Sequence, residues 1–186
     1  MDNSTENVTL LAGYVSDVID TVKELGHATE GLEAILAGFP LENPYKQIPM
    51  EIYNNACNWV ENELGEKNVI EVGKKIGARA YDILVDNHII TPDANVIEIM
   101  EGIEIAASTT IQDPKERGWE LLTQTETSIV MRRTQTFNSR LQFGLLERLA
   151  ERCPTVEKDS VSIKYLQEVV KGADFDEYEV TWKYTI

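Results

Sequence analysis

Histidine, cysteine and basic residues are scarce in this chain, and each scarcity excludes a class of function. Among 186 residues there are two His, two Cys and 17 Lys+Arg against 32 Asp+Glu, so the formal net charge is −15. A charge of this sign repels nucleic acids and anionic membrane surfaces. The densest basic run, Arg132-Arg133, is too short to form a basic patch. We therefore expect neither a nucleic acid nor a membrane as a partner.

Long apolar runs and paired-cysteine motifs are also absent from the sequence. No run of about 18 apolar residues occurs, so no membrane-spanning segment is expected. The first nine residues are polar and acidic, unlike the basic start and apolar centre of a signal peptide. Cys57 and Cys153 are far apart in the sequence, which favours two reduced thiols over a disulfide. These features predict a cytoplasmic protein.

The apolar residues of the first half recur at helical spacing. With 42% hydrophobic residues, the chain can bury one core as a single domain. Gly73 and Gly77 are four residues apart and predict a close crossing of two helices. Apolar positions three and four apart, together with Thr91-Pro92 as a start signal, predict helices over residues 12–25, 29–37, 50–64, 69–85 and 91–108, with a connector at 39–49.

Strand patterns dominate the second half. Residues 119–124 and 127–134 are rich in β-branched and aromatic side chains and predict a hairpin. A helix is predicted over 137–152, and period-two alternation over 161–165 and 178–186 predicts two further strands. The predicted fold class is therefore α+β. A helical half, residues 1–114, precedes a ββαββ antiparallel sheet with helices on one face, residues 115–186.

Part of the second half resembles a known family. Phe143-Gly-Leu-Leu-Glu147, the strand Val161–Val170 and the run Lys171-Gly-Ala-Asp-Phe-Asp-Glu-Tyr-Glu-Val180 are similar to the C-terminal half of 4-vinyl reductase domains. That family is related to the haem-NO/oxygen-binding (H-NOX) sensors and to TRAPP trafficking subunits. The resemblance implies an apolar ligand enclosed between helices and sheet, and a role as the input of a signalling system.

Two departures from these families concern metal and haem. Glu168 and Asp176 stand where 4-vinyl reductase domains often carry zinc-binding Cys; carboxylates suit Ca, Mg or Mn better than zinc. H-NOX sensors hold haem with a helical His and a Tyr-x-Ser-x-Arg run. The corresponding helix, Ile99–Ser108, has no His, and the nearest run, Arg132–Thr136, has no Tyr. We expect no haem bound in the H-NOX manner, and the cofactor stays unknown.

Candidate site residues fall into three groups. His27 and His88 lie near predicted helix ends, where capping explains them, although His88 is also a candidate metal ligand beside Glu168 and Asp176. Arg132, Arg133 and Arg140 suit a carboxylate or phosphate at a pocket mouth, or pairing with surface acids. The apolar candidates for a ligand pocket are Trp59, Tyr81, Met100, Ile103, Met131 and Phe143.

Three functional hypotheses follow from these residues and from the resemblance. The first is a sensor that encloses a small apolar molecule and signals to a separate protein; a haem-binding gas sensor with non-standard ligation is a variant of it. The second is an enzyme using Glu168, Asp176 or His88, which is less favoured because no catalytic motif is present. The third is a TRAPP-like assembly subunit that dimerises through a helical face.

Overall fold

The computed structural model describes residues 4–185, which form the predicted α+β fold. Helices lie mainly in the first half, and an antiparallel sheet lies near the C-terminus. The described helices are α1 Ala12–Glu24, α2 Glu30–Leu36, α3 Met50–Trp59, α4 Glu66–Asp86, α5 Val96–Thr110 and α6 Ser139–Glu151. The described strands are β1 Thr9–Leu11, β2 Gln47–Pro49, β3 Ile111–Gln112, β4 Trp119–Gln124, β5 Ser128–Arg133, β6 Ser162–Gln167 and β7 Asp176–Thr181.

Glycines end two helices of the first half. Gly26 follows α1 with a φ of +79°, in the left-handed region that favours glycine. After α3 the chain continues through a π-helical turn, Val60–Leu64, and stops at Gly65 with a φ of +91°. The predicted helix over 50–64 is therefore continuous in the structure, with a change of hydrogen-bonding pattern in its last turn.

The predicted start of α5 at Thr91-Pro92 is wrong. The helix begins at Val96, and Asn95 is its N-cap. The Glu98 backbone N–H donates to Asn95 Oδ1 at 3.1 Å, and the Asn95 backbone N–H donates to Glu98 Oε2 at 2.8 Å. This reciprocal capping box satisfies two backbone donors at once. It therefore prevails over the weaker start signal of Thr91-Pro92, which lies in the preceding turn.

A small three-stranded sheet in the helical half was not predicted. Its order is β2-β1-β3, with both pairs antiparallel. The connector predicted over 39–49 thus contains β2, where Ile48 pairs with Leu10 and both are buried. Strands of two or three residues are too short to show alternation, and their pairing depends on distant partners.

The larger sheet has four antiparallel strands in the order β4-β5-β7-β6, which confirms the predicted ββαββ arrangement. Its buried face includes Met131, Tyr178 and Val180. The last strand was predicted to reach residue 186, but β7 ends at Thr181. Tyr184 instead forms an isolated bridge with Val156, and Ile186 lies outside the described residues.

Helices α4 and α6 cross at backbone contact, as the glycine spacing predicts. A Cβ atom at Gly73 would lie 2.0 Å from the Leu141 carbonyl oxygen, and one at Gly77 would lie 2.6 Å from the Leu145 carbonyl oxygen. From the other side, a Cβ atom at Gly144 would lie 2.0 Å from the Ile70 carbonyl oxygen. Any side chain at these positions would therefore force the helices apart. Across residues 4–185, no helix is both long and apolar enough to span a membrane.

Candidate functional site

A small cavity lies between the helices and the four-stranded sheet. Its volume is about 60 Å³, several times the roughly 10 to 15 Å³ that one water requires. Eleven of the fifteen lining residues are buried, and the other four are partly buried. The lining consists of Leu10, Tyr14, Tyr53, Ile76, Ala80, Ile103, Ala106, Ala107, Thr110, Ile111, Trp119, Gln135, Phe137, Gln142 and Leu145.

Helical spacing places small and large side chains around this cavity. On α4, Ile76 and Ala80 are four residues apart and share one face; on α5, Ile103 and Ala107 have the same spacing. Trp119, at the start of β4, contributes its ring from the sheet side and packs against Tyr178 at a centroid distance of 5.8 Å. The cavity is thus lined by elements from both halves of the chain.

The cavity lining is uncharged. No Asp, Glu, Lys, Arg, His or Cys is among the described residues that line it. Burial raises the pKa of Tyr14, and it raises the pKa of Tyr53 well above the ordinary phenol value. Both side chains are therefore neutral phenols at any physiological pH.

Two glutamines bring polar atoms to this otherwise apolar space. Gln135 and Gln142 are 3% and 2% exposed. Gln135 Nε2 donates to the Arg117 carbonyl oxygen at 2.7 Å, but Gln135 Oε1 is buried without a hydrogen-bond partner. Tyr14 Oη donates to Thr110 Oγ1 at 3.4 Å. The lining therefore combines apolar walls with a few directed polar groups, as small-molecule sites commonly do.

Of the apolar residues predicted for a pocket, Ile103 lines the cavity. Met100 and Met131 are buried in the surrounding core. The other three lie elsewhere: Trp59 packs over Gly31, Tyr81 lies beneath the Arg152 guanidinium at 4.3 Å, and Phe143 contacts Tyr165 at 5.7 Å.

The predicted basic group pairs with acidic residues and does not line the cavity. Arg132 contacts Glu177 at 2.8 Å and Glu120 at 3.4 Å. Arg133 pairs with Asp176, and both side chains are almost fully buried. Arg140 lies 3.4 Å from Glu66 and 3.7 Å from Glu168, and it borders a separate polar groove at the start of α6.

The predicted metal candidates do not form a common site, and the two carboxylates among them have other partners. Asp176 accepts hydrogen bonds from Arg133, Ser139 and the Val169 backbone. Glu168 pairs with Lys171 and Arg140. His88 is exposed after the end of α4 with a φ of +57°. Within residues 4–185, no group of three or more His, Cys, Asp or Glu side chains is arranged to hold a metal ion.

Sequence reasoning missed the polar residues of the cavity, although two patterns pointed to them. Gln142 lies three residues before Leu145 and seven before Leu149, on the buried side of α6. Gln135 continues the period-two series of Met131 and Arg133 on the buried side of β5. A polar residue in an apolar series indicates either a satisfied core group or a site.

Comparison with solved structures identifies the fold. No protein-family model and no curated protein matches the chain. An H-NOX mutant designated Cs has 14% sequence identity and a TM-score of 0.65, with 95% of this chain and 97% of that chain covered. An H-NOX protein from S. oneidensis in the Fe(II) ligation state has 12% identity and a TM-score of 0.68, with 94% and 97% covered. A mutant of T. tengcongensis H-NOX has 13% identity and a TM-score of 0.61, with 93% and 96% covered. The chain therefore has the H-NOX fold over almost its whole length.

Proposed function

We propose that this protein is a sensor domain that binds a small uncharged molecule in the cavity between the helices and the sheet, and signals its occupancy to a separate protein. The observation that carries the proposal is the buried, uncharged cavity at the junction of the two halves of an H-NOX fold. A molecule bound there contacts α4, α5, α6 and β4 together, so it can bias their relative positions.

The size of the cavity bears on the size of the ligand. Pockets for drug-sized ligands typically have volumes of roughly 300 to 1,000 Å³, and an engineered apolar cavity of about 150 Å³ takes benzene or xenon. At about 60 Å³, this cavity matches a ligand of only a few non-hydrogen atoms. Three of the lining residues, at positions 80, 106 and 107, are alanines.

Haem does not fit the residues of this cavity. Two of the matching structures concern heme distortion in the H-NOX family and porphyrin distortion. Haem iron requires an axial ligand such as His, Cys thiolate, Met or tyrosinate. Here the described lining offers the phenols of Tyr14 and Tyr53, and burial raises the pKa of both, which disfavours the tyrosinate form. We therefore propose a ligand other than haem.

Solvent extraction of the purified protein tests this proposal directly. Mass spectrometry of the extract should find a small uncharged molecule, and the protein should have no Soret absorbance. The variant Ala106→Leu fills the cavity with three additional carbon atoms and should lose the molecule. Its matched control, Ala34→Leu, makes the same change on the exposed side of α2 and should retain it. Equal ligand content in both variants would contradict the proposal, and so would a haem Soret band.

A further inference from the structure

We propose that the ligand of the cavity carries a neutral group with both a hydrogen-bond donor and an acceptor, bound by Gln135 and Gln142. This inference rests on the proposed function, because it concerns the same cavity, and it narrows the ligand to small primary amides and molecules with the same hydrogen-bonding pattern. Three observations support it: the orientation of Gln135, the free amide of Gln142 and the absence of charge in the lining.

The orientation of Gln135 follows from its partner. The Arg117 carbonyl oxygen can only accept a hydrogen bond, so the group that contacts it at 2.7 Å must be the Gln135 amide nitrogen. The other end of the side-chain amide is therefore the acceptor Oε1, on a residue that lines the cavity. It is buried and has no partner within the described residues. A ligand that satisfies Oε1 must supply an N–H or O–H donor.

Gln142 provides the complementary group. Its side chain is 2% exposed and lines the cavity from α6. Within residues 4–185, it makes none of the side-chain hydrogen bonds that buried amides normally form. Its NH₂ group can donate to a carbonyl oxygen of the ligand. One primary amide group, with its donor toward Gln135 and its acceptor toward Gln142, satisfies both.

The lining also determines that the ligand is neutral. No charged side chain lines the described cavity, and the nearby Arg133 is already paired with Asp176. An ionised carboxylate or amine would enter without a counter-charge and would lose its hydration, which is costly in a buried site. Among small polar molecules, an amide is therefore favoured over an acid or an amine.

Acetamide, acetone, acetate and xenon are suitable probes because they are small and differ in hydrogen bonding and charge. Acetamide has a donor and an acceptor, acetone has the acceptor alone, acetate is charged and xenon is apolar. Titration of the ¹⁵N-labelled full chain, followed by the side-chain amide resonances, gives the affinities. We expect acetamide to shift the resonances of Gln135 and Gln142 and to bind about tenfold more tightly than acetone, the value of one net hydrogen bond. Acetate should not bind.

Matched variants separate recognition from folding. Gln135→Met and Gln142→Met should each weaken acetamide binding about tenfold and leave xenon binding unchanged. The control variant Gln124→Met, at an exposed position of β4, should change neither acetamide binding nor xenon binding. Suppose that xenon binds, but that acetamide and acetone bind with equal affinities or that acetate also binds. Either result would overturn the inference and leave the proposed cavity function in place. Failure of both xenon and acetamide to bind would overturn the inference and the proposed function together.

Discussion

Replacing Gly73 with alanine places a methyl group against the backbone of α6. The added Cβ atom would lie 2.0 Å from the Leu141 carbonyl oxygen, whereas real Cβ contacts stay beyond 3.0 Å. The two helices must therefore separate by at least 1.0 Å, the difference between these distances. The Leu141 carbonyl oxygen belongs to the helix backbone and cannot rotate away as a side chain does, so the whole crossing has to move.

The expected change in the free energy of unfolding is the balance of two opposing effects. Alanine stabilises a helix interior by about 1 kcal/mol relative to glycine. Overpacking of a close-packed core costs typically about 1 to 3 kcal/mol, and a backbone clash belongs at the upper end of that range. The net destabilisation is then about 2 kcal/mol. For a chain of this size, that lowers the melting temperature by roughly 4 to 8 °C.

Gly102→Ala is the matched control for this substitution. Gly102 is also buried in a helix, α5, but the nearest atoms to its added Cβ are methyl carbons of Ile90 and Leu84 at 3.1 and 3.2 Å. These side chains need to move by only a few tenths of an ångström. Urea denaturation and thermal melting of both variants test the prediction. If Gly73→Ala is as stable as Gly102→Ala, the α4–α6 crossing is not at backbone contact and the reasoning is refuted.

Four further predictions concern the buried ion pair between Arg133 and Asp176, its pH dependence, a helix cap and a thiol. Asp176→Asn leaves the buried Arg133 without its charged partner and should lower the free energy of unfolding by roughly 3 to 5 kcal/mol. The control, Asp82→Asn, breaks the exposed pair with Arg152 and should lower it by less than about 1 kcal/mol. Similar urea midpoints for the two variants would contradict this. Burial acts to raise the pKa of Asp176, but Arg133 and the hydrogen bonds from Ser139 and Val169 outweigh it and lower the pKa below 3.8. The resulting stabilisation is present above that pH and is lost as the pH falls through the folded-state pKa. The urea midpoint of the wild type should therefore fall more steeply in acid than that of Asp176→Asn. Asn95→Ala removes the capping box of α5 and should lower the free energy of unfolding by about 1 kcal/mol. Thr29→Ala, at a cap whose side chain makes no hydrogen bond to the helix backbone, should lower it clearly less in the same denaturation assay. Burial raises the pKa of the Cys57 thiol. An aromatic disulfide reagent should therefore modify this thiol only after the protein unfolds. Rapid labelling of Cys57 in the native protein would contradict its buried position.

The sequence predicted most of the fold because its longer elements have strong periodicity. Helices such as α1 and α4 bury one face and therefore have apolar residues at regular spacing. The small sheet was missed because β1, β2 and β3 are too short to carry a pattern. The start of α5 was misplaced because two cap signals occur close together, and hydrogen bonding between Asn95 and Glu98 decides between them.

The cavity was largely beyond sequence reasoning, for a physical reason. Its walls come from residues as distant as Leu10 and Leu145, and the space between them depends on how closely the helices approach. Met100 and Met131 are as apolar as Ile103, yet they are packed into the core while Ile103 borders the cavity. Residue type alone does not distinguish these positions, whereas the two buried glutamines could have been singled out.

A crystal structure of the protein pressurised with xenon tests the central claim most directly. Xenon binds in dry or exchangeable cavities without requiring a specific chemical group. We predict one xenon site in the space bordered by Ile76, Ile103, Trp119 and Leu145, which line the cavity on α4, α5, β4 and α6. Continuous side-chain packing through that space, with no xenon bound there, would contradict a ligand-binding cavity in this fold.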